Sequence, residues 1–181
     1  LIQMGENSES IFVIGSPEVD IMTGDTLPSI DIVKNHYKIP FEKYAVLVYH
    51  PVTTEIEDID KNISELVDAV SQLENNFIII EPNNDIGAER IRYGFSRLKG
   101  RENIKMFPSL RFEYYLTLLK NSEFFIGNSS SGVREAPVFG VPTLNVGTRQ
   151  HDRNSAASIV NVEESARAIV EAARNIASMP K

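Results

Sequence analysis

The stretch Phe124 to Val146 reads FFIGNSSSGVREAPVFGVPTLNV and sets polar groups where an anion would be held. Ser129, Ser130 and Ser131 follow Asn128 and precede Gly132. Asn and Ser are turn and N-cap residues, so a helix is expected from about Ser131 to Phe139. The free N–H groups of a helix start suit an anion, of which phosphate is the commonest. Glu135 lies four residues after Ser131, one turn on and on the same helical face. A carboxylate there can accept two hydrogen bonds from a cis-diol. Phosphate on the turn and a ribose on Glu135 describe a nucleoside diphosphate site. The competing reading is an N-capped core helix whose early acid favours the macrodipole.

Four other segments carry candidate groups. His50 precedes Pro51, which pushes it into extended geometry at a strand's carboxyl end. Its imidazole can donate to a phosphate or sugar and transfer a proton, or it is a loop histidine bonded to backbone. Asn83 and Asp85 leave the next strand in PNND, as sugar or diphosphate ligands or as turn residues. Phe107 stands before Pro108 at another strand exit, where its backbone can read a base edge. Tyr115 can stack on that base, or both aromatics pack in the core. Arg134, on a different helical face from Glu135, is expected to pair with a sheet or loop carboxylate.

Alternating elements must position these groups. Apolar runs at Ile11–Ile14, Tyr44–Tyr49, Phe77–Ile80, Ile104–Phe107, Phe124–Ile126, Thr143–Val146 and Ser158–Val160 read as strands. Between them, periodic segments predict helices. These are Glu18–Met22, Ser29–Tyr37, a long one after a Thr54/Glu57 capping box to Leu73, Ile86–Leu98, Arg111–Lys120 and Val162–Ala177. Gly140 is expected in the left-handed stop position, with Pro142 beyond it. Arg149–Ser155 is expected to be a polar loop. Strictly alternating strands and helices imply an α/β fold with a parallel sheet and right-handed crossovers. The strand exits at His50, Asn83, Phe107 and Asn128 then share one edge, where ligands bind in such sheets.

Composition bounds the function. The chain has 181 residues, enough for one substantial domain. It has no cysteine, which removes disulfides and thiolate metal sites, and three histidines without metal-ligand spacing imply no metal. The net charge of −7 argues against non-specific nucleic-acid binding, so an anionic ligand needs local donors. No stretch has the length of a membrane span and no signal peptide is recognisable, so a cytoplasmic protein is expected.

GNSSSGVREAPVFGVPTLNVGTRQ (Gly127 to Gln150), with LIQMGE (Leu1 to Glu6), HPVTTE (His50 to Glu55) and PNNDIG (Pro82 to Gly87), closely resembles the UDP-N-acetylglucosamine 2-epimerases. It is similar to their hydrolysing branch, used in sialic and related nonulosonic acid synthesis. The non-hydrolysing branch carries a DSGG-type turn and an ERPE-type segment where this chain has Asn128–Ser131 and Gly147–Gln150. The resemblance implies a Rossmann-like half of a two-domain glycosyltransferase-B type fold. Residues 1–43 would then be the connection from an N-terminal domain outside this chain, with a peripheral strand and helix, and 44–181 the UDP-binding domain. The implied activity converts UDP-N-acetylglucosamine, or UDP-N,N′-diacetylbacillosamine, to the 2-epimeric free sugar and UDP. A glycosyltransferase, a non-hydrolysing epimerase and a non-catalytic nucleotide-sugar sensor are the alternatives. His50 and Asp85 are the catalytic candidates. Asn83, Phe107, Tyr115, Ser129, Ser130, Ser131, Gly132, Glu135 and Arg149 are the UDP and substrate ligands, Arg149 as a bidentate partner for diphosphate. No cofactor is implied, and the full-length protein is expected to be a homo-oligomer. His151–Asn154 departs from the sequence common after GTRQ.

Overall fold

The computed structural model describes residues 1–153 and 156–176. Six short strands form one all-parallel sheet in the order β3-β2-β1-β4-β5-β6. They are β1 (Ala45–Val48), β2 (Phe77–Ile80), β3 (Ile104–Phe107), β4 (Phe125–Gly127), β5 (Thr143–Val146) and β6 (Ile159–Val162). The helices are α1 (Pro17–Thr23), α2 (Ile30–Tyr37), α3 (Ile59–Gln72), α4 (Ala88–Ser96), α5 (Phe112–Lys120), α6 (Glu135–Val138) and α7 (Ala166–Ile176).

Side-chain alternation along β1 sorts the core into two layers. Ala45 and Leu47 face one side with α3, α4 and α7, while Val46 and Val48 face the other with α2 and α5. All four are buried, which is why the run is continuously apolar. Crossovers run outward from β1 to β3 on one side and from β4 to β6 on the other. The strand order therefore reverses between β1 and β4, and the crevice at that switch point is where open α/β sheets take ligands.

Gly127 sits at this switch with φ +134, and a Cβ there would lie 2.0 Å from the Val48 carbonyl oxygen. Only glycine lets β4 approach β1 so closely at the strand's end.

Three expected elements differ. Ile11–Ile14 forms no strand: Phe12, Val13 and Ile14 are 80%, 97% and 80% exposed, with no strand beside them. The Thr54/Glu57 capping box does not form. A tight turn closed by Glu55 N–H on the Val52 carbonyl leads into a 3-10 turn at Ile56–Asp58, and α3 begins only at Ile59. The single helix expected over Ser131–Phe139 is instead a 3-10 turn at Ser130–Gly132 and one helical turn, α6. Pro137 explains this, since proline is tolerated in a first turn and not seven residues into a helix. Gly140 does take the left-handed conformation, φ +68. The last strand extends through Val162, so α7 starts later than expected. The expected ends of the last loop at Ser155 and the last helix at Ala177 lie outside the described residues.

Candidate active site

The carboxyl ends of β1, β2, β3 and β4 open into a cleft of about 390 Å³ lined by His50, Asn83, Tyr115, Ser129 and Ser131, with Pro108 to Leu110 on the far wall. A second, more polar hollow adjoins His50's loop and is lined by Pro51 to Thr54, Asp85, Thr148 and Arg149. His50, Asn83, Tyr115, Ser129 and Ser131 thus line one hollow and Asp85 and Arg149 the other, while Phe107, Ser130, Gly132 and Glu135 line neither.

His50 is half-buried between them. The Asn83 N–H donates to its Nδ1 at 3.3 Å. That bond favours the tautomer with the proton on Nε2, leaving Nε2–H to donate into the cleft. Burial, reinforced by the Arg149 guanidinium, pushes its pKa down to about 4, against the opposing pull of Asp85. The imidazole is therefore neutral at pH 7, a donor and not a fixed cation. Arg149 is itself lowered by burial, and its Nη1 donates to the Asn128 carbonyl at 3.1 Å. Asp85 accepts from Asn83 Nδ2 at 2.6 Å.

The serine turn holds its donors differently from a helix start. Gly132, Val133 and Arg134 already give their N–H groups to the Ser129 and Ser130 carbonyls. The turn's resources for an anion are the serine hydroxyls and the N–H groups of Ser129 and Ser130, without a long-helix dipole behind them. Gly132 is tightly packed. A Cβ there would meet Phe125 Cδ1 at 2.7 Å and Thr143 Cγ2 at 2.9 Å, so its glycine serves packing on the sheet. Phe107 is held in the sheet opposite Ile80. Its carbonyl accepts from Glu81 N–H at 2.9 Å, its ring meets Tyr37 edge-on, and Pro108 lines the cleft in its place. Arg134 pairs at 3.7 Å with Glu18, which lies on helix α1 and not on the sheet or a loop as expected.

Glu135 and Tyr115 carry unmet polar atoms. Glu135 Oε2 and the Tyr115 hydroxyl are both buried with no hydrogen-bond partner. The hydroxyl lies by Ser131 and Glu135 without reaching bonding geometry, and burial raises its pKa. Buried polar atoms are almost always paired, so these two are free to take a ligand or a water; Thr143 Oγ1 and Asn145 Oδ1 are also unpaired.

Sequence reasoning passed over Arg92 and Gln150. Arg92 on α4 fastens the loop presenting Asn83 and Asp85. It donates to the Pro82 carbonyl (3.1 Å), the Asn83 carbonyl (3.3 Å) and Asn84 Oδ1 (2.9 Å), and pairs with Glu81 at 3.4 Å. We expect Arg92→Ala to cost about 1–2 kcal/mol in urea unfolding, because several loop acceptors lose their donor. Arg97→Ala, which removes an exposed ion pair with Asp68, is expected to cost about 0.5 kcal/mol. Gln150, buried behind Arg149, donates to the same Asn128 carbonyl at 3.1 Å. Its place in GTRQ was the available signal.

A parallel 3-2-1-4-5-6 sheet with polar groups gathered at its switch point defines a Rossmann-type α/β unit of the glycosyltransferase-B class. The family model described as UDP-N-acetylglucosamine 2-epimerase matches residues 1–181, and the chain belongs to that family. It is 42% identical over 181 residues to a UDP-N-acetylglucosamine 2-epimerase of Neisseria meningitidis, covering all of this chain and 48% of that protein. It is 31% identical over 182 residues to the UDP-N,N′-diacetylbacillosamine 2-epimerase (hydrolyzing) of Legionella pneumophila, again over 48% of that protein. The chain therefore spans about half the length of these curated relatives. The fold is similar to that of Methanocaldococcus jannaschii UDP-GlcNAc 2-epimerase crystallised with UDP-GlcNAc and UDP. The TM-score is 0.72 at 17% identity, over 99% of this chain and 51% of that one.

Proposed function

We propose that this chain is the UDP-binding half of a hydrolysing UDP-sugar 2-epimerase, acting on UDP-N-acetylglucosamine or UDP-N,N′-diacetylbacillosamine. The observation that carries the reading is the buried, unpartnered Glu135 Oε2 beside the serine turn at the switch point. It supplies the acceptor a ribose diol needs, next to the donors a diphosphate needs. The Asn128–Ser131 turn in place of a DSGG-type turn, and the hydrolysing relative among those matched, favour water as the final acceptor.

In this reading the reaction loses UDP from C1 and a proton from C2, giving a glycal-like intermediate. Water then adds hydroxide at C1, and C2 is protonated on the opposite face. Ser129, Ser130 and Arg149 bear the diphosphate charge as it leaves. The neutral His50 donates from Nε2 to the departing oxygen or the sugar. Asn83 and Asp85 bond the sugar hydroxyls, Asp85 being the nearer candidate for proton transfer.

Product analysis of the full-length protein with each UDP-sugar tests this. A free 2-epimeric sugar with stoichiometric UDP is expected. An epimerised sugar still joined to UDP would assign the non-hydrolysing reaction. A UDP-sugar consumed only when an acceptor is supplied would assign a glycosyltransferase.

A further inference from the structure

We propose that Asn128 is the positioning residue that holds His50 in register with the Ser129–Ser131 turn; the proposal rests on the functional reading above for what His50 and the turn do. Asn128 is fully buried. Its Oδ1 accepts the His50 N–H at 2.7 Å, and its Nδ2 donates to the His50 carbonyl at 2.8 Å. One side-chain amide thus satisfies both backbone groups of a residue 78 positions away.

This clamp acts as an extra rung of the sheet. The β1–β4 ladder ends with Val48 opposite Gly127, followed by Asn128 N–H on the Val48 carbonyl at 3.2 Å. Beyond that point the two strand exits must part, one into the serine turn and one into the Pro51 turn. Backbone pairing can no longer reach across, and the Asn128 side chain replaces it. Its carbonyl, meanwhile, accepts from Arg149 and Gln150. Asn128 therefore ties three segments together: the strand exit bearing His50, the serine turn and the 147–150 loop.

The ordinary role of asparagine after a strand is a local bond to its own turn. Here both side-chain partners are on another strand exit, and no local bond is made. The residue type follows from the partners. A donor and an acceptor are needed side by side; aspartate lacks the donor, and serine or threonine reaches only one of the two groups.

The test uses the 181-residue chain, which carries packed layers on both faces of its sheet, and the full-length protein. In the chain, NMR of the labelled imidazoles follows His50, with the His36 and His151 resonances as internal references. Asn128→Ala is expected to move the His50 midpoint from about 4 upward by at least one pH unit as water reaches the ring. Exchange of the His50 amide should speed at least tenfold, with Ile78 and Ile79 amides unchanged. In the full-length protein the same variant is expected to lower kcat at least tenfold while UDP affinity stays within threefold. A merely structural role would lower both together. Asn128→Asp, nearly isosteric, is the second variant: it keeps the acceptor for the His50 N–H but not the donor, so amide protection is retained and kcat still falls tenfold. A folded Asn128→Ala whose His50 titration and amide exchange match the parent would overturn the proposal. So would Asn128→Asp with the parent's kcat. If the parent chain fails to bind UDP, the functional reading falls, and the His50 titration still decides the role of Asn128.

Discussion

Glu135→Ala is expected to weaken UDP binding by about 30- to 900-fold. That corresponds to the loss of two hydroxyl-to-carboxylate bonds, together about 2–4 kcal/mol. Uracil, which has no ribose, should bind the variant and the parent alike. The stability of the free protein supplies a second sign. Glu135 Oε2 is buried without a partner, so the unliganded protein carries a desolvated acceptor it does not use. Removing it should leave the unliganded melting temperature unchanged or raise it, the pattern of a group retained for a ligand and not for the fold. Calorimetric titration with UDP and with uracil, beside thermal unfolding without ligand, measures all three. Unchanged UDP affinity, or a large drop in unliganded stability, would return Glu135 to the reading of a core helix acid.

The two kinds of signal in the sequence differed in reach. β2, β3 and β5 begin and end where the sequence places them. β2 is apolar throughout because it lies inside the sheet between two layers, whereas β3 carries Lys105 and β5 carries Thr143 and Asn145. The carboxyl-edge grouping of His50, Asn83 and Ser129 followed from strand–helix alternation alone. Ile11–Ile14 carries the same apolar signature, yet pattern reports only what a segment is suited to, and no strand stands beside it here. The broken helix after Ser130 was legible in Pro137, a local steric rule outweighed by the capping residues before it. Asn128, Arg92 and Gln150 were not legible in their roles. The partners that give them these roles lie 8 to 78 positions away, beside nearer ones such as Glu89 for Arg92 and Arg153 for Gln150, and some belong to backbone, which leaves no trace in side-chain spacing. Phe107 and Gly132 show the converse. Each sits in a motif, and its packing appears only in the assembled sheet.

The 181-residue chain is expected to bind UDP but to release none from UDP-N-acetylglucosamine. Epimerisation at C2 needs a base on one face of the sugar and an acid on the other. The carboxylates near the switch point are already committed among the described residues. Glu55 accepts from Thr148 Oγ1 at 2.6 Å, and Glu81 pairs with Arg92. Glu164 is held by the Tyr49 hydroxyl and by Asn62 at 2.6 Å, and burial raises its pKa. Glu135 is assigned to the ribose. Asp85 remains, bonded only to Asn83 of its own loop, and one carboxylate cannot serve both faces of a ring. His50, neutral and donating from Nε2, supplies a hydrogen-bond donor and not the missing base. The chain spans about half the length of its relatives, so the second carboxylate is proposed to come from the other half of the protein, across the cleft. A UDP-release assay on the chain beside the full-length protein, with UDP binding to both as control, measures this. Release by the full-length protein alone is expected. Comparable rates from both would place the whole chemistry within this domain and make His50 and Asp85 its acid–base pair.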